Sequence, residues 1–296
     1  MTANVVGLGE VLWDMFPSGK RLGGAPANFA YHAKELGKEE VSSSIASCVG
    51  NDKLGNEIIT KLEYKKINCN HLCIDSDHPT GTVTVEVDGN GLPSYTIEKD
   101  VAWDYLPEYE QKFAESTDVV CFGSLAQRSM ASHNTIINFL DAMPSSSLKI
   151  FDINLRQSYY TSEIIQASLK KSNLLKINDE ELLTVIKLMQ LPTNYIDALR
   201  VLLEMYQLNM VVLTKGEKGS ELITKEGTSS FSGVNVTVDD TVGAGDSFTA
   251  AVALGLLKNY EINKINEYAN LVASFVCKSA GATPKLPENL ISLFHS

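Results

Sequence analysis

A run of small residues ending in an acid, Asp240-Thr241-Val242-Gly243-Ala244-Gly245-Asp246, stands directly before Ser247-Phe248-Thr249-Ala250-Ala251-Val252-Ala253-Leu254, which reads as a helix. The free N–H groups of a first helical turn, with the macrodipole behind them, attract anions. Side chains as small as those of Gly243, Ala244 and Gly245 let phosphate oxygens come close. A carboxylate at the same place, Asp246, repels a phosphate unless it holds a cation or does chemistry. Removing the proton from an attacking hydroxyl is the chemistry that fits. Standing alone, the segment is more simply an Asp cap after a flexible turn.

Other segments supply what such a reaction needs. Gly23-Gly24-Ala25-Pro26-Ala27-Asn28 again places small residues before a helix. Its glycines allow backbone to approach a polyol, and Asn28 both donates and accepts toward hydroxyls. Asp14, expected just after the first strand, offers an acceptor-only carboxylate to adjacent hydroxyls, or is a solvated loop acid. Asp152-Ile153-Asn154-Leu155-Arg156 follows a strand and delivers a fixed cation, Arg156, to clamp a transferring phosphoryl group, reach a sugar or make a surface ion pair. Asn178 and Glu181 fall at a strand end and in a first helical turn, a spacing also common in helix caps. Gly50-Asn51-Asp52-Lys53-Leu54-Gly55 reads as a structural turn and cap.

Taken together these motifs resemble the PfkB, or ribokinase-like, family of carbohydrate kinases over essentially the whole chain. The resemblance implies that Asp246 is the catalytic base beside the Gly243–Gly245 anion loop, with Arg156 assisting. It implies that Asp14, Gly24 and Asn28 bind the sugar, joined by Tyr95. Asn178 and Glu181 match the family's Asn-x-x-Glu motif, which organises Mg²⁺ and phosphate water. Thr214-Lys215-Gly216-Glu217-Lys218-Gly219 resembles the nucleotide loop, with Thr214, Lys215, Gly216 and Gly219 as candidate contacts, and Asn270 matches the adenine wall. Asp240, Val242 and Gly281 occupy the places that hold a monovalent cation, K⁺, in many relatives. The implied cofactor is MgATP. Ala25-Pro26 after the glycine pair and the Asp-x-Asn-x-Arg run are similar to the fructokinase subgroup, so fructose is the expected acceptor. Kinases of 2-keto-3-deoxygluconate, ribose or a nucleoside share the frame, and a non-catalytic sugar-binding regulator is the alternative of a different class.

These residues need a scaffold that brings distant segments to one edge. Strand-like runs at Val5–Val11, Ser43–Val49, Val119–Gly123, Lys149–Asp152, Leu174–Ile177 and Met210–Thr214 alternate with helical periodicity at Pro26–Leu36, Leu54–Lys66, Met130–Ala142, Asp179–Met189, Tyr195–Tyr206, Gly245–Leu257 and Asn266–Lys278. That alternation predicts one α/β domain over 1–296, a three-layer α/β/α arrangement around a mainly parallel, doubly wound sheet. Thr82–Val87 and Ser94–Glu98, joined by Asp88-Gly89-Asn90-Gly91-Leu92-Pro93, predict a hairpin instead. With residues 12–22, the stretch 80–102 is expected to form a small antiparallel β lid over the sugar.

With 25 Lys plus Arg against 36 Asp plus Glu, the net charge is -11, which disfavours nucleic acid and anionic membrane as partners. A nucleotide site here must therefore supply local positive potential. The absence of a leader-like start and of a long apolar run predicts a cytoplasmic protein, as do five cysteines, an odd number. The partners expected are small molecules, with a homodimer through the lid as a further option. Gly7-Leu8-Gly9-Glu10 lacks the third glycine of a dinucleotide fingerprint, and Cys69-Asn70-His71-Leu72-Cys73, read as part of a strand, lacks the paired spacing of a zinc site.

Overall fold

A computed structural model describes residues 2–87, 93–234, 237 and 240–295. The strands are β1 (Ala3–Leu8), β2 (Leu12–Phe16), β3 (Gly19–Gly23), β4 (Val41–Gly50), β5 (Leu72–Asp75), β6 (Thr82–Val87), β7 (Pro93–Ile97), β8 (Val119–Phe122), β9 (Leu148–Asp152), β10 (Leu174–Asn178), β11 (Met210–Thr214), β12 (Ser220–Ile223) and β13 (Thr228–Phe231). The helices are α1 (Ala25–Gly37), α2 (Lys53–Tyr64), α3 (Gln111–Glu115), α4 (Met130–Ala142), α5 (Ser162–Lys171), α6 (Asp179–Met189), α7 (Tyr195–Met205), α8 (Ala244–Leu257), α9 (Ile262–Cys277) and α10 (Glu288–Ile291).

Among the described residues, nine strands form the main sheet in the order β13-β12-β11-β10-β9-β8-β1-β4-β5. The pairs from β11 through β5 are parallel, and β12 and β13 extend the sheet antiparallel at one edge. Alternation along each strand sorts side chains to two faces. Val120 and Phe122 pack with Ile136, Leu169, Val185 and Leu202 of α4 to α7. Val119 and Cys121 pack with Phe29, Phe248 and Val272 of α1, α8 and α9. The result is the three-layer α/β/α fold.

A separate four-stranded sheet has the order β3-β2-β6-β7. Its outer pairs are antiparallel and its central pair, β2 with β6, is parallel. The hairpin expected at 82–98 is present as β6 and β7, while 88–92 of its turn lies outside the described residues. Trp13 and Leu22 of this sheet are buried with Ile45 and Val49 of β4.

Several boundaries differ from expectation for identifiable reasons. The first strand ends at Leu8 rather than Val11, because Gly9 has φ 142 and turns the chain. Asp14 therefore lies within β2, opposite Arg21 of β3, and not in a loop. Helix α9 begins four residues before Asn266, at Ile262. Strand β5 begins at Leu72, so of the Cys69–Cys73 run it takes in Cys73, beside Cys48 of β4, and leaves Cys69 outside. Asp52 caps α2 as its segment suggested, accepting from Gly55 N at 2.8 Å and from Thr80 N and Oγ1, both at 2.8 Å. No helix among the described residues is long and apolar enough to cross a membrane.

Candidate active site

Parallel strands bring their carboxyl ends to one edge, and the chemically distinctive residues follow those ends: Glu10 after β1, Asp152 closing β9 with Arg156 beyond it, Asn178 closing β10 and Thr214 closing β11. Two helix starts meet over this edge. Asn28 in the first turn of α1, only 3% exposed, donates from Nδ2 to Asp246 Oδ2 in the first turn of α8 at 2.8 Å. Residues 218 apart in sequence thus share one bond. Gly24, at φ 106, lets the chain turn into α1 against Glu10, whose carbonyl oxygen would lie 2.5 Å from any Cβ there. Gly243 plays the corresponding part for α8. Its φ is 80, and a Cβ would lie 2.3 Å from the carbonyl oxygen of Ala282.

Burial raises the carboxyl of Asp246 to about 6, and the negative charge of Asp152 pushes the same way. The Asn28 bond, Lys176 and Arg156 oppose the rise. An acid so placed is a carboxylate near neutrality yet a stronger base than a free aspartate. Ala244 N donates to Thr241 O at 3.3 Å, and the N–H groups of Gly245 and Asp246 in the first turn of α8 complete a site where a hydroxyl and a phosphoryl group can both approach.

Sequence reasoning missed the cation that lies closest to this turn. Lys176, 7% exposed in the middle of β10, pairs with Asp152 Oδ1 at 3.1 Å, and its Nζ would lie 3.0 Å from a Cβ at Gly245. Burial works against its charge, but the carboxylates of Asp152, Glu181 and Asp246 outweigh burial and hold its pKa above the ordinary lysine value. Asp152, 3% exposed, also accepts from Thr249 Oγ1 at 3.0 Å. A lysine interrupting Leu174-Leu175-Lys176-Ile177 was a visible signal, since a charge in a buried strand requires a partner.

Asn178 and Glu181 form a reciprocal capping box on α6: Asn178 Oδ1 accepts from Glu181 N at 2.8 Å, and Glu181 Oε2 accepts from Asn178 N at 2.8 Å. Glu181 Oε1 accepts from Leu155 N at 3.1 Å. Burial, partly offset by Lys176, raises the Glu181 carboxyl. Both oxygens are thus pinned by backbone donors, with lone pairs left to accept from metal-bound water. Beside them opens a cavity of ≈ 490 Å³ lined by Lys176, Asn178, Thr214, Gly216, Gly219, Gly245 and Asn270. Phe248 and Ala273 supply apolar wall. These residues suit a nucleotide whose phosphates reach the α8 turn. Lys215 departs from expectation: its Nζ is held by Glu221 Oε1 at 2.7 Å, and it is not among the cavity-lining residues. Asn270 reaches the wall, but its amide donates to Ser220 Oγ at 2.6 Å and Asn266 O at 2.8 Å.

On the other side of Asp246 the edge is acidic. Glu10 is 2% exposed, and burial raises its carboxyl to about 7 despite Arg156 nearby. Asp14 is raised to about 6, by burial first, with Arg156 opposing and the charge of Asp240 adding. Arg156 itself is exposed. Tyr95, on β7, is 52% exposed, and its carbonyl accepts from Gln157 Nε2 at 2.7 Å, which ties the small sheet to the loop after β9. The carboxylate of Asp240 accepts from Val242 N at 3.0 Å, Gly281 N at 3.2 Å and Arg21 Nη1 at 2.9 Å, so it brings the three cation candidates together but is already engaged.

Similarity to known proteins extends over nearly the whole chain. The profile described as pfkB family carbohydrate kinase matches residues 11–289. A protein of Pyrococcus horikoshii named as a sugar kinase is 32% identical over 283 residues, covering 92% of this chain and 86% of its own. Its crystal structure in complex with ATP superposes with a TM-score of 0.80 over 95% of this chain and 94% of that one. A fructokinase of Salmonella typhimurium is 28% identical over 273 residues, covering 88% of this chain and 86% of its own. A fructokinase double mutant from Vibrio cholerae, solved with fructose, ADP and potassium ion, shares the fold at 22% identity, with a TM-score of 0.81 over 99% of this chain and 98% of that one.

Proposed function

The chain belongs to the pfkB family of carbohydrate kinases, which makes it an ATP-dependent sugar kinase, and we propose that it phosphorylates a terminal hydroxyl of a neutral sugar, fructose, with Asp246 as the general base. The observation that carries this is the junction of the two helix starts, where Asp246 accepts from Asn28 beside the Gly243–Gly245 turn.

The sugar lies at the acidic side of the junction, within reach of Asp14, Asn28 and the Gly24 backbone, under the small sheet acting as a lid. ATP lies in the cavity with its phosphates at the α8 turn. Asp246 takes the proton of the attacking hydroxyl as that oxygen bonds to the γ-phosphorus and ADP departs. Charge on the transferring group is met by the N–H groups of Gly245 and Asp246 and by Lys176, with Arg156 entering from the sugar side. Glu181 would hold Mg²⁺ through water, and the ion would supply positive charge to the phosphates. Asn28 keeps the Asp246 carboxylate turned toward the sugar, and the lid excludes water that would otherwise accept the phosphoryl group.

Three features favour fructose. Ala25-Pro26 and the Asp152-x-Asn154-x-Arg156 run are of the fructokinase kind, and fructokinases are among the proteins similar to this chain. Glu10, Asp14 and Asp246 make the sugar side electronegative, which opposes a substrate carboxylate such as that of 2-keto-3-deoxygluconate. ADP release in the presence of MgATP with fructose, ribose, 2-keto-3-deoxygluconate or adenosine in turn tests this. The expected order places fructose first in kcat/KM. A higher kcat/KM with another acceptor overturns the sugar assignment, and sugar binding without ADP release from any acceptor overturns the enzyme in favour of a regulator.

A further inference from the structure

The notable feature of Asp240 is the partner on its outer side. Arg21 belongs to β3 of the lid, and its guanidinium crosses to Asp240, the first residue of the run that leads into the anion loop. We propose that Arg21 supplies, from the lid, the positive charge that a monovalent cation would otherwise supply at Asp240, so that the loop is set without such an ion and is coupled to the lid. This rests on the kinase assignment above.

The carboxylate leaves an ion little room. Oδ1 holds Val242 N at 3.0 Å, which fixes the turn into the Gly243–Gly245 segment. Oδ2 holds both Gly281 N at 3.2 Å and Arg21 Nη1 at 2.9 Å. A cation bound to this carboxylate must either displace the guanidinium or sit beside a like charge. Arg21 is also held where it is. Backbone pairing with Asp14 of β2 fixes its strand, and its guanidinium packs over the Phe16 ring at 4.8 Å from the centroid. The Asp240 side chain is 17% exposed against 46% for Arg21, so the carboxylate end of the pair is the shielded one.

The role follows from position rather than from stability, since a half-exposed ion pair contributes little to folding. Asp240 orients Val242 and Gly281, which flank the segment whose N–H groups must face phosphate. A fixed cation on the far side of that carboxylate neutralises it without consuming those N–H groups. Because the cation is carried by the lid, this pair joins the lid to the anion loop, whereas a free ion would leave the two unconnected.

The test compares wild type with Arg21→Gln in potassium chloride and in choline chloride at equal ionic strength, by calorimetric ADP binding and by thermal melting without nucleotide. For wild type, ADP affinity and melting temperature are expected to be the same in both salts. For Arg21→Gln, ADP affinity is expected to fall about tenfold in choline, the size of one lost charge-assisted contact, and to recover in potassium as the vacated carboxylate takes the ion. Its melting temperature is expected to rise with potassium when that of wild type does not. Potassium-dependent ADP affinity or melting in wild type overturns the proposal, as does an Arg21→Gln loss that potassium fails to restore, or no loss. Absence of ADP binding to wild type in either salt refutes the nucleotide site instead, and the nucleotide-free melting comparison still decides the role of Arg21.

Discussion

Replacing Asp246 by asparagine separates the chemistry of this residue from its structural cost. The amide oxygen of the substituted side chain can still accept from Asn28 Nδ2, so the junction of α1 and α8 is retained. In the folded protein the carboxyl stands at about 6 against a reference of 3.8. Keeping it ionised above that value costs about 1.36 kcal/mol per unit, ~3 kcal/mol as an upper bound, and water at the half-buried side chain reduces this to ~1–2 kcal/mol. A raised pKa lowers stability as pH rises from the reference value through about 6, so the asparagine variant should equal wild type in strong acid and gain over it up to pH 7, then remain level. For a chain of this size that gain corresponds to ~2–4 °C in melting temperature at pH 8. Turnover should fall in the same protein by ~10²–10⁴-fold, the usual contribution of a general base. Calorimetry at pH 4 and pH 8 with a coupled ADP assay reads both quantities. A variant that keeps turnover within tenfold of wild type, or that melts lower than wild type at pH 8, would refute the reasoning.

Three further perturbations probe the same site. Lys176→Met should lose at least ~10²-fold in turnover and ~3–5 kcal/mol in stability, because Asp152 is left buried without its cation. Adding Asp152→Asn should restore the stability by denaturant titration but not the turnover. In wild type, kcat/KM for the sugar should rise as pH rises through about 6, where Asp246 and Asp14 both lose their protons. Asp14→Asn should raise KM while leaving the acid limb of kcat in place, and loss of that limb would remove Asp246 as its source. Gly243→Ala should cost ~1–3 kcal/mol, since the position has φ 80 and its new methyl would meet the Ala282 carbonyl. Its ATP affinity should fall with it, and unchanged affinity by calorimetry would sever the loop from nucleotide binding.

What the sequence disclosed of this site follows a physical division. The Gly243–Asp246 and Gly24–Asn28 segments are legible because a helix start has a local grammar, and both mark true helix starts. The main strands were legible because each is a short, β-rich and mostly apolar run standing between helical patterns. Residues 12–22 were expected in the lid and hold β2 and most of β3, but the break at Gly9 was not foreseen, so Asp14 was placed after the first strand and not within β2. The edge strands β12 and β13 carry Ser, Glu and Thr and give no apolar run. Glu10 was weighed within a dinucleotide fingerprint and set aside, and its interest lies in burial, which no local pattern reports. Lys215 stands in the expected motif, yet Glu221 across the β11–β12 turn captures it. Pairings of this kind depend on register. Lys176 and Asp152 illustrate it best, being direct partners across the parallel strands β10 and β9.

That partnership also supports the proposal that Asp246, and not a neighbour, is the base. Asp152, Asp246 and Glu181 all surround the ammonium of Lys176, and all three would be stabilised by owning it. Strand register gives it to Asp152. Glu181 is settled separately by two backbone N–H groups. Asp246 is left with a neutral partner, the amide of Asn28, and with Asp152 still repelling its charge. A carboxylate denied its own cation keeps its affinity for a proton, and one hydrogen bond to a neutral amide fixes its direction without quenching that affinity. The fold thus places its buried cation against Asp152 and leaves Asp246 the more basic acid, as the proposed role in taking the hydroxyl proton requires.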